Sequence, residues 1–214
     1  MKIVFALAHP DDESFGPAGT IAKLAKHHDV HVFSLCNGAR PNNEQVSASR
    51  IESFYAACAL LGAKATIHNR PDLTLTYPNA VSTMETIVKQ LAPDIVYTHN
   101  ISDVNMDHRV LAEACLVACR PKPTSTVTKL FFCEVPASTD WGFSTLTPAF
   151  EPNSYVDISD YIELKKSALA LYKTETYLYP DARSIEAMVS RAEYRGTQVG
   201  VNYAEAFRLV FSID

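Results

Sequence analysis

Residues 2–25 read KIVFALAHPDDESFGPAGTIAKLA, and this stretch decides the fold. Seven residues from Lys2 to Ala8 are almost wholly apolar, which is the pattern of a strand buried on both faces. A tight acidic turn follows, and from Ala18 the apolar residues recur at helical spacing. Pro17 stands where a first helical turn accepts proline. A strand that runs into a polar turn and then a helix is the opening unit of a β-α repeat.

The repeat continues. VHVFSLC (30–36) reads as a second strand and NEQVSASRIESFYAACALLG (43–62) as a long helix closed by Gly62. KATIHN (64–69) is a short strand, and VSTMETIVKQLA (81–92) a helix that Pro93 ends. DIVYTH (94–99) is a fourth strand, DHRVLAEACLVACR (107–120) a helix, and KLFFCEV (129–135) a fifth strand. The alternation predicts an α/β fold with a mostly parallel sheet and helices on both faces. The last third is less regular: a loop over 138–154, helices over 161–175 and 184–200, and a closing strand or extended segment over 203–211. Without a Gly/Ser linker, a low-complexity tract or an internal repeat, residues 1–214 read as a single domain.

Bulk composition narrows the function. The 214 residues are 47% hydrophobic and 20% charged, which are globular values, and the net charge is −5. No basic stripe stands out, so nucleic acid is not an expected partner. The apolar run at the start breaks at His9-Pro10-Asp11, too short for a signal peptide core or a membrane span. Five cysteines, an odd number, with no secretion signal point to free thiols in a reducing cytoplasm. Cys115 and Cys119 lie in an apolar helical stretch and read as small buried hydrophobes. Homo-oligomer formation stays open.

In open α/β sheets ligands gather beyond the carboxyl ends of the strands. After the first strand come His9-Pro10-Asp11-Asp12-Glu13, after the second Asn37-Gly38-Ala39-Arg40, and after the fourth His99 and NISDVNMDH (100–108). Two acid-and-imidazole clusters therefore face one sheet edge. A hydrolytic Zn²⁺ site needs about three His, Asp or Glu ligands, an open position and a carboxylate to accept a proton. His9 and Asp12, three residues apart, suit two ligands, with Asp11 between them as the base. His108 would complete the ligand set, with Asp107 behind it. The competing reading makes Asp11 and Asp12 simple caps of the first helix. His99 alone reads as a polar residue at a strand end. His27, His28, His31 and His68 read as surface or edge residues.

The two motifs, AHPDDESFGPAGTIAKL and PDIVYTHNISDVNMDHRVLAEA, resemble the PIG-L (LmbE-like) family of zinc-dependent N-deacetylases. CEVPASTDW, PNSYVDIS, KKSALALY, ARSIEAM, RGTQVG and AEAFRL extend the resemblance over nearly the whole chain. It implies a Rossmann-like fold and hydrolysis of an N-acetyl group from an amino sugar or N-acetylglucosamine conjugate. Carried over residue by residue, it makes His9, Asp12 and His108 the Zn²⁺ ligands and Asp11 the general base.

Departures from the family pattern shape the remaining expectations. Asn105 stands where many relatives carry a histidine assigned to the acid or oxyanion role. Asparagine donates a hydrogen bond but does not shuttle a proton, so Asp11 or His99 would take over that duty. Ala18 replaces a glycine, and Asp181-Ala182 replaces a His-Pro pair. Arg50 and Arg183 match recurring arginines and, with Asp72 and Asp181, are the candidate substrate contacts. Tyr97 and Trp141 are candidate platforms for a sugar ring, although core packing is the default for Tyr97. The departures motivate an alternative, an N-formyl or other amide hydrolase acting on a non-sugar metabolite. A non-catalytic α/β binding module is the reading from another class. The first strand runs into HPDDESFG rather than a glycine-rich fingerprint, which discounts a dinucleotide-dependent enzyme.

Overall fold

The computed structural model describes residues 1–39, 44–142 and 148–214. Arg40, the helix start expected at Asn43, and residues 143–147 of the expected loop lie outside the described residues.

Among the described residues one seven-stranded sheet runs in the order β3-β2-β1-β4-β5-β7-β6. Strands β1 (Lys2–Leu7), β2 (Asp29–Ser34), β3 (Lys64–Ile67), β4 (Ile95–His99) and β5 (Lys129–Cys133) are mutually parallel. The chain moves outward from β1 to β2 and β3, then returns past β1 to lay down β4 and β5. The order therefore reverses between β1 and β4, and a crevice opens there at the carboxyl ends.

Strand β1 is sandwiched by helices, which explains its unbroken apolar run. Ile3, Phe5 and Leu7 pack with α2 (Ala18–Ala25), α3 (Glu44–Leu60) and α6 (Ile162–Leu171). Val4, Ala6 and Ala8 point the other way, into α4 (Tyr77–Leu91) and α5 (Met106–Ala118). A strand buried on both faces gains from apolar residues at every position, not at alternate ones. Tyr97 belongs to this core: its ring stacks on Phe5 at 4.5 Å and on Phe131 at 4.7 Å. All five cysteines are free and buried.

The mostly parallel sheet turns antiparallel at its far side. The closing strand β7 (Ala204–Ser212) does not extend the parallel series but pairs antiparallel with β5. A further strand, β6 (Ser154–Asp157), absent from the sequence reading, pairs antiparallel with β7 at the edge. It has four residues just after Pro152, too short to show an alternating pattern. Helix α4 begins at Tyr77, four residues before the expected start, with Pro78 in its first turn. It ends where Ala92 turns left-handed at φ 48°. The acidic turn contains its own short helix, α1 (Asp12–Phe15), and α7 (Ile185–Thr197) packs against β7.

Candidate metal centre and active site

The turn after β1 is held by its own side chains. The His9 amide donates to Asp12 Oδ2 at 2.8 Å. Asp11 precedes α1 but makes no capping bond with its side chain. Its carboxylate reaches sideways to two arginines, at 3.0 Å from Arg50 Nη2 and 2.7 Å from Arg183 Nη2. This excludes helix capping as the reason for the Asp11 carboxylate. The Asp11 backbone sits at φ 128°, a costly conformation for a residue with a Cβ, of order 1–3 kcal/mol. The amide of Asp11 donates to Glu13 Oε2 at 3.1 Å. Glu13 Oε1 in turn accepts from Tyr172 Oη at 2.7 Å and Ser14 Oγ at 2.6 Å. Burial pushes the Glu13 carboxyl up to about 7, against the hydrogen bonds from Ser14 and Tyr172.

His9, Asp12 and His108 converge. His9 Nδ1 lies 3.2 Å from His108 Nε2, and His108 Nε2 lies 3.4 Å from Asp12 Oδ1. One donor atom from each falls within 4.8 Å of the others, a spacing that suits one cation. Each imidazole is backed by a carboxylate on its far nitrogen. Asp107 Oδ2 is 3.0 Å from His9 Nε2, and Asp103 Oδ2 is 3.1 Å from His108 Nδ1. Such carboxylate–histidine pairs select the tautomer that leaves the near nitrogen basic. Asp107 also accepts the Leu73 amide at 2.6 Å and the Leu75 amide at 3.3 Å, so it ties His9 to the loop after β3.

These contacts set the titration behaviour of the cluster. Burial alone would lower His9, but hydrogen bonds to Asp107 and Asp12 and the charge on Asp12 carry it up to about 10. Burial opposes His108 as well, and Asp12 with Asp103 raises it to about 9. Burial would raise Asp12, yet the charge of His108 and the hydrogen bonds from His108 and His9 hold it well below the usual carboxylate range. Cys36, with His9 and Asp72, makes a second possible donor group. Burial and the Asp107 charge push that thiol far up, so Cys36 is a neutral wall.

His99 has a different place from the one expected of a proton donor. It is fully buried and does not line the cavity. Its Nε2 accepts the Ala8 amide at 2.8 Å, and its ring stacks on His108 with centroids 3.7 Å apart. Burial and the neighbouring His108 charge lower its pKa, so it is a neutral support behind the cluster.

A cavity of about 230 Å³ opens over the cluster. It brings together His9, Asp11, Asp12, Arg50, Asp72, Asn105, His108 and Arg183, with Trp141 also on its wall. Arg50 is already engaged: it donates to Pro10 O, Gly38 O, Asp72 Oδ2 and Asp11 Oδ2. These bonds use all five of its N–H groups, so it holds Asp11 in place and has none left for a ligand. Asp72 accepts from Arg50 at 3.0 Å and from the Gly38 amide at 3.0 Å. Asn105 caps α5, its Oδ1 accepting the Asp107 amide at 2.9 Å. Asp181 lies apart, exposed in a turn where it accepts the Arg183 amide at 2.8 Å. It is absent from the cavity wall, so of this pair of residues Arg183 alone reaches the site.

Sequence reasoning missed Asp103, Glu175 and Phe15. Asp103 was within reach, because a ligating imidazole calls for a carboxylate on its second nitrogen and Asp103 precedes His108 by five residues. Glu175 and Phe15 carried no local signal. Glu175 sits 3.7 Å from Arg50 and 3.8 Å from Arg183, while Phe15 lies under the Arg183 guanidinium at 4.0 Å.

Fold and donor set together define an α/β protein with a candidate metal-ligating triad at a topological switch point. The chain matches the family model described as PIG-L, GlcNAc-PI de-N-acetylase, over residues 4–119, more than half of its length. It belongs to the PIG-L family. It is 27% identical over 178 residues to the uncharacterized deacetylase YaiS of Escherichia coli K12, covering 78% of this chain and 88% of that one. The N,N'-diacetylchitobiose deacetylase of Pyrococcus horikoshii superposes with a TM-score of 0.77 at 23% identity, over 98% of this chain and 83% of that chain. The 4-carboxy-2-hydroxymuconate hydratase GalB of Pseudomonas putida KT2440 superposes with a TM-score of 0.76 at 20% identity, over 100% and 98%. At these identities the superpositions show a shared fold, and that fold serves more than one reaction.

Proposed function

We propose that this chain hydrolyses the N-acetyl group of an acetylated amino sugar, free or conjugated, with a divalent cation, Zn²⁺ foremost, at His9, Asp12 and His108. The observation that carries this reading is the convergence of those three donors with the Asp11 carboxylate on one cavity. Two imidazoles, each backed by a carboxylate, and one carboxylate are a donor set that suits Zn²⁺. A bound cation supplies a Lewis acid that polarises the acyl carbonyl and makes water acidic near neutral pH.

The chain's own residues do the rest. Asp11 accepts the proton of the attacking water and returns it to the leaving nitrogen, so acetate and a free amine result. Both arginines bind its Oδ2, and among the described residues none binds Oδ1. The clamp fixes the orientation of the base while one oxygen stays open. With its Oδ1 spent on the Asp107 amide, Asn105 presents its amide N–H groups to the oxygen that gains charge.

Five buried free thiols fit the reducing cytoplasm proposed for the chain. Among the described residues no helix is long and apolar enough to cross a membrane. Asn105, a donor that cannot shuttle a proton, favours a second reading, hydrolysis of a formyl or other acyl amide on a non-sugar metabolite.

The test is a panel of N-acetylated and N-formylated sugars and amines incubated with Zn²⁺-loaded protein. Acetate from the acetylated sugars is the expected result, and Asp11→Ala retains metal but loses turnover. Formate from non-sugar amines alone would replace the first reading with the second. No release from any substrate would overturn both.

A further inference from the structure

The floor of the cavity is charged, and among the described residues the two exposed ones on its wall are apolar. His9, Asp11, Asp12, Arg50, Asp72 and His108 are each no more than 5% exposed. Leu73 and Trp141 line the same cavity yet are 59% and 53% exposed. Scattered apolar residues on a surface need no explanation, but two that share the wall of a charged pit do.

Both are held there by the backbone. Leu73 adopts a left-handed φ of 63°, costly for a leucine, and its amide is fixed to Asp107 Oδ2 at 2.6 Å. The same carboxylate oxygen holds His9, so the Leu73 side chain stands at a fixed offset from the cluster. The Trp141 amide donates to Ala137 O at 3.0 Å, and Ala137 is itself left-handed at φ 81°. Neither hydrophobe is an idle loop residue.

The volume says what meets them. At about 230 Å³ the cavity is smaller than the roughly 300–1,000 Å³ of sites that engulf a drug-sized ligand. It takes about one ring, and whatever that ring carries must leave over the rim. We infer that the substrate is an acylated amino sugar bearing an apolar aryl or alkyl substituent, which Leu73 and Trp141 grip outside the charged pit. This rests on the amide-hydrolase reading.

The test compares phenyl and methyl glycosides of N-acetylglucosamine as substrates of Zn²⁺-loaded protein, read as the ratio of their kcat/KM values. A ratio within one preparation cancels differences in folding or metal content. The expected preference for the phenyl glycoside is about tenfold or more, the scale of a good apolar contact. Leu73→Asn keeps a side chain of similar size that tolerates positive φ, and it should bring the ratio close to one. Trp141→Ala should do the same. Turnover of both glycosides at equal rates would overturn this inference and leave the hydrolase reading standing. Absence of turnover with tighter phenyl-glycoside binding by calorimetry, lost in Leu73→Asn, would keep the rim assignment and sink the hydrolase. Neither turnover nor preferential binding would sink both. Sedimentation with phosphatidylcholine vesicles that depends on Leu73 and Trp141, without a glycoside preference, would make the rim a membrane contact and overturn the inference.

Discussion

Arg183 Nη2 donates to Asp11 Oδ2 over 2.7 Å, joining two residues 172 positions apart in the chain. Arg50 shares the same oxygen at 3.0 Å, and the Arg183 guanidinium rests on Phe15. If Asp11 is the proposed base, the contact makes Arg183 its holder. Arg183→Met should lower kcat roughly tenfold to a hundredfold, the scale set by slight misplacement of a catalytic group, with a smaller change in KM and full metal content. Arg183→Lys should recover only part, because an ammonium cannot keep both Asp11 and the Glu175 carbonyl in a planar fork. Steady-state kinetics with metal analysis decides it. A raised KM at unchanged kcat would make Arg183 a substrate contact instead.

Asp107 and Asp103 stand behind His9 and His108 on the nitrogens turned away from the cavity. On the proposed reading, a cation would be held by Nδ1 of His9 and Nε2 of His108. Asp103→Asn should weaken Zn²⁺ binding roughly tenfold to a hundredfold. Asp107→Asn should cost at least as much, since Asp107 also secures the Leu73 and Leu75 amides. Competition with a chromophoric chelator measures both. Unchanged affinity in Asp103→Asn would show that His108 is oriented by other contacts.

Some of this site was legible in the sequence and some was not, for physical reasons. His9, Asp11 and Asp12 come just after β1, His108 opens the helix that follows β4, and a parallel sheet brings the carboxyl ends of neighbouring strands together. Local pattern plus one topological rule was enough to expect them in one place. The grip of Arg50 and Arg183 on Asp11 joins a mid-chain helix, a C-terminal turn and the first strand, and no periodicity encodes such a contact. Asp181 and Arg183 are two residues apart in one turn, and only turn geometry decides which reaches the cavity. The β5–β7–β6 arrangement was hidden for a similar reason. AEAFRLVFS reads as a strand, but whether it runs parallel or antiparallel depends on its partner across the sheet.

The raised histidine pKa values give the metal-free protein a definite pH dependence. His9 is raised from 6.5 to about 10 and His108 to about 9. A group with a raised pKa stabilises the fold fully below its unfolded pKa, and that stability is lost as pH rises through the folded value. The melting temperature of chelator-treated protein should therefore fall between about pH 7 and 10. Glu13, raised from 4.5 to about 7, adds a loss in the same direction at lower pH, between about 4.5 and 7, with or without metal. The difference between loaded and chelated protein isolates the histidine pair, because metal-bound nitrogens no longer titrate. That difference should widen as pH rises. Calorimetric titration at pH 7 in buffers of different ionisation enthalpy should show proton release as Zn²⁺ displaces protons from His9 and His108. Zinc binding with no proton release would place the ligands elsewhere.

Glu205 on β7 links the antiparallel side of the sheet to the helix behind the site. Its carboxylate accepts the amides of Gly19 at 3.0 Å and Thr20 at 2.7 Å, in the first turn of α2. Lys165 on α6 reaches the same carboxylate at 2.7 Å and also bonds the Gly16 carbonyl. Lys165 is 4% exposed and Glu205 7%, so neither charge has water to fall back on. Removing one partner of a buried pair leaves the other uncompensated, a cost of about 3–5 kcal/mol. Lys165→Met should destabilise the protein on that scale by urea denaturation, while Lys166→Met, one residue along on an exposed ion pair, should cost about 0–1 kcal/mol. Glu205 keeps two amide donors in Lys165→Met, so the double variant Lys165→Met/Glu205→Gln, which removes the orphaned charge, should recover part of the loss. If Lys165→Met were as stable as Lys166→Met, the pair would be contributing nothing to the seating of α2 behind the His9–Asp12 turn.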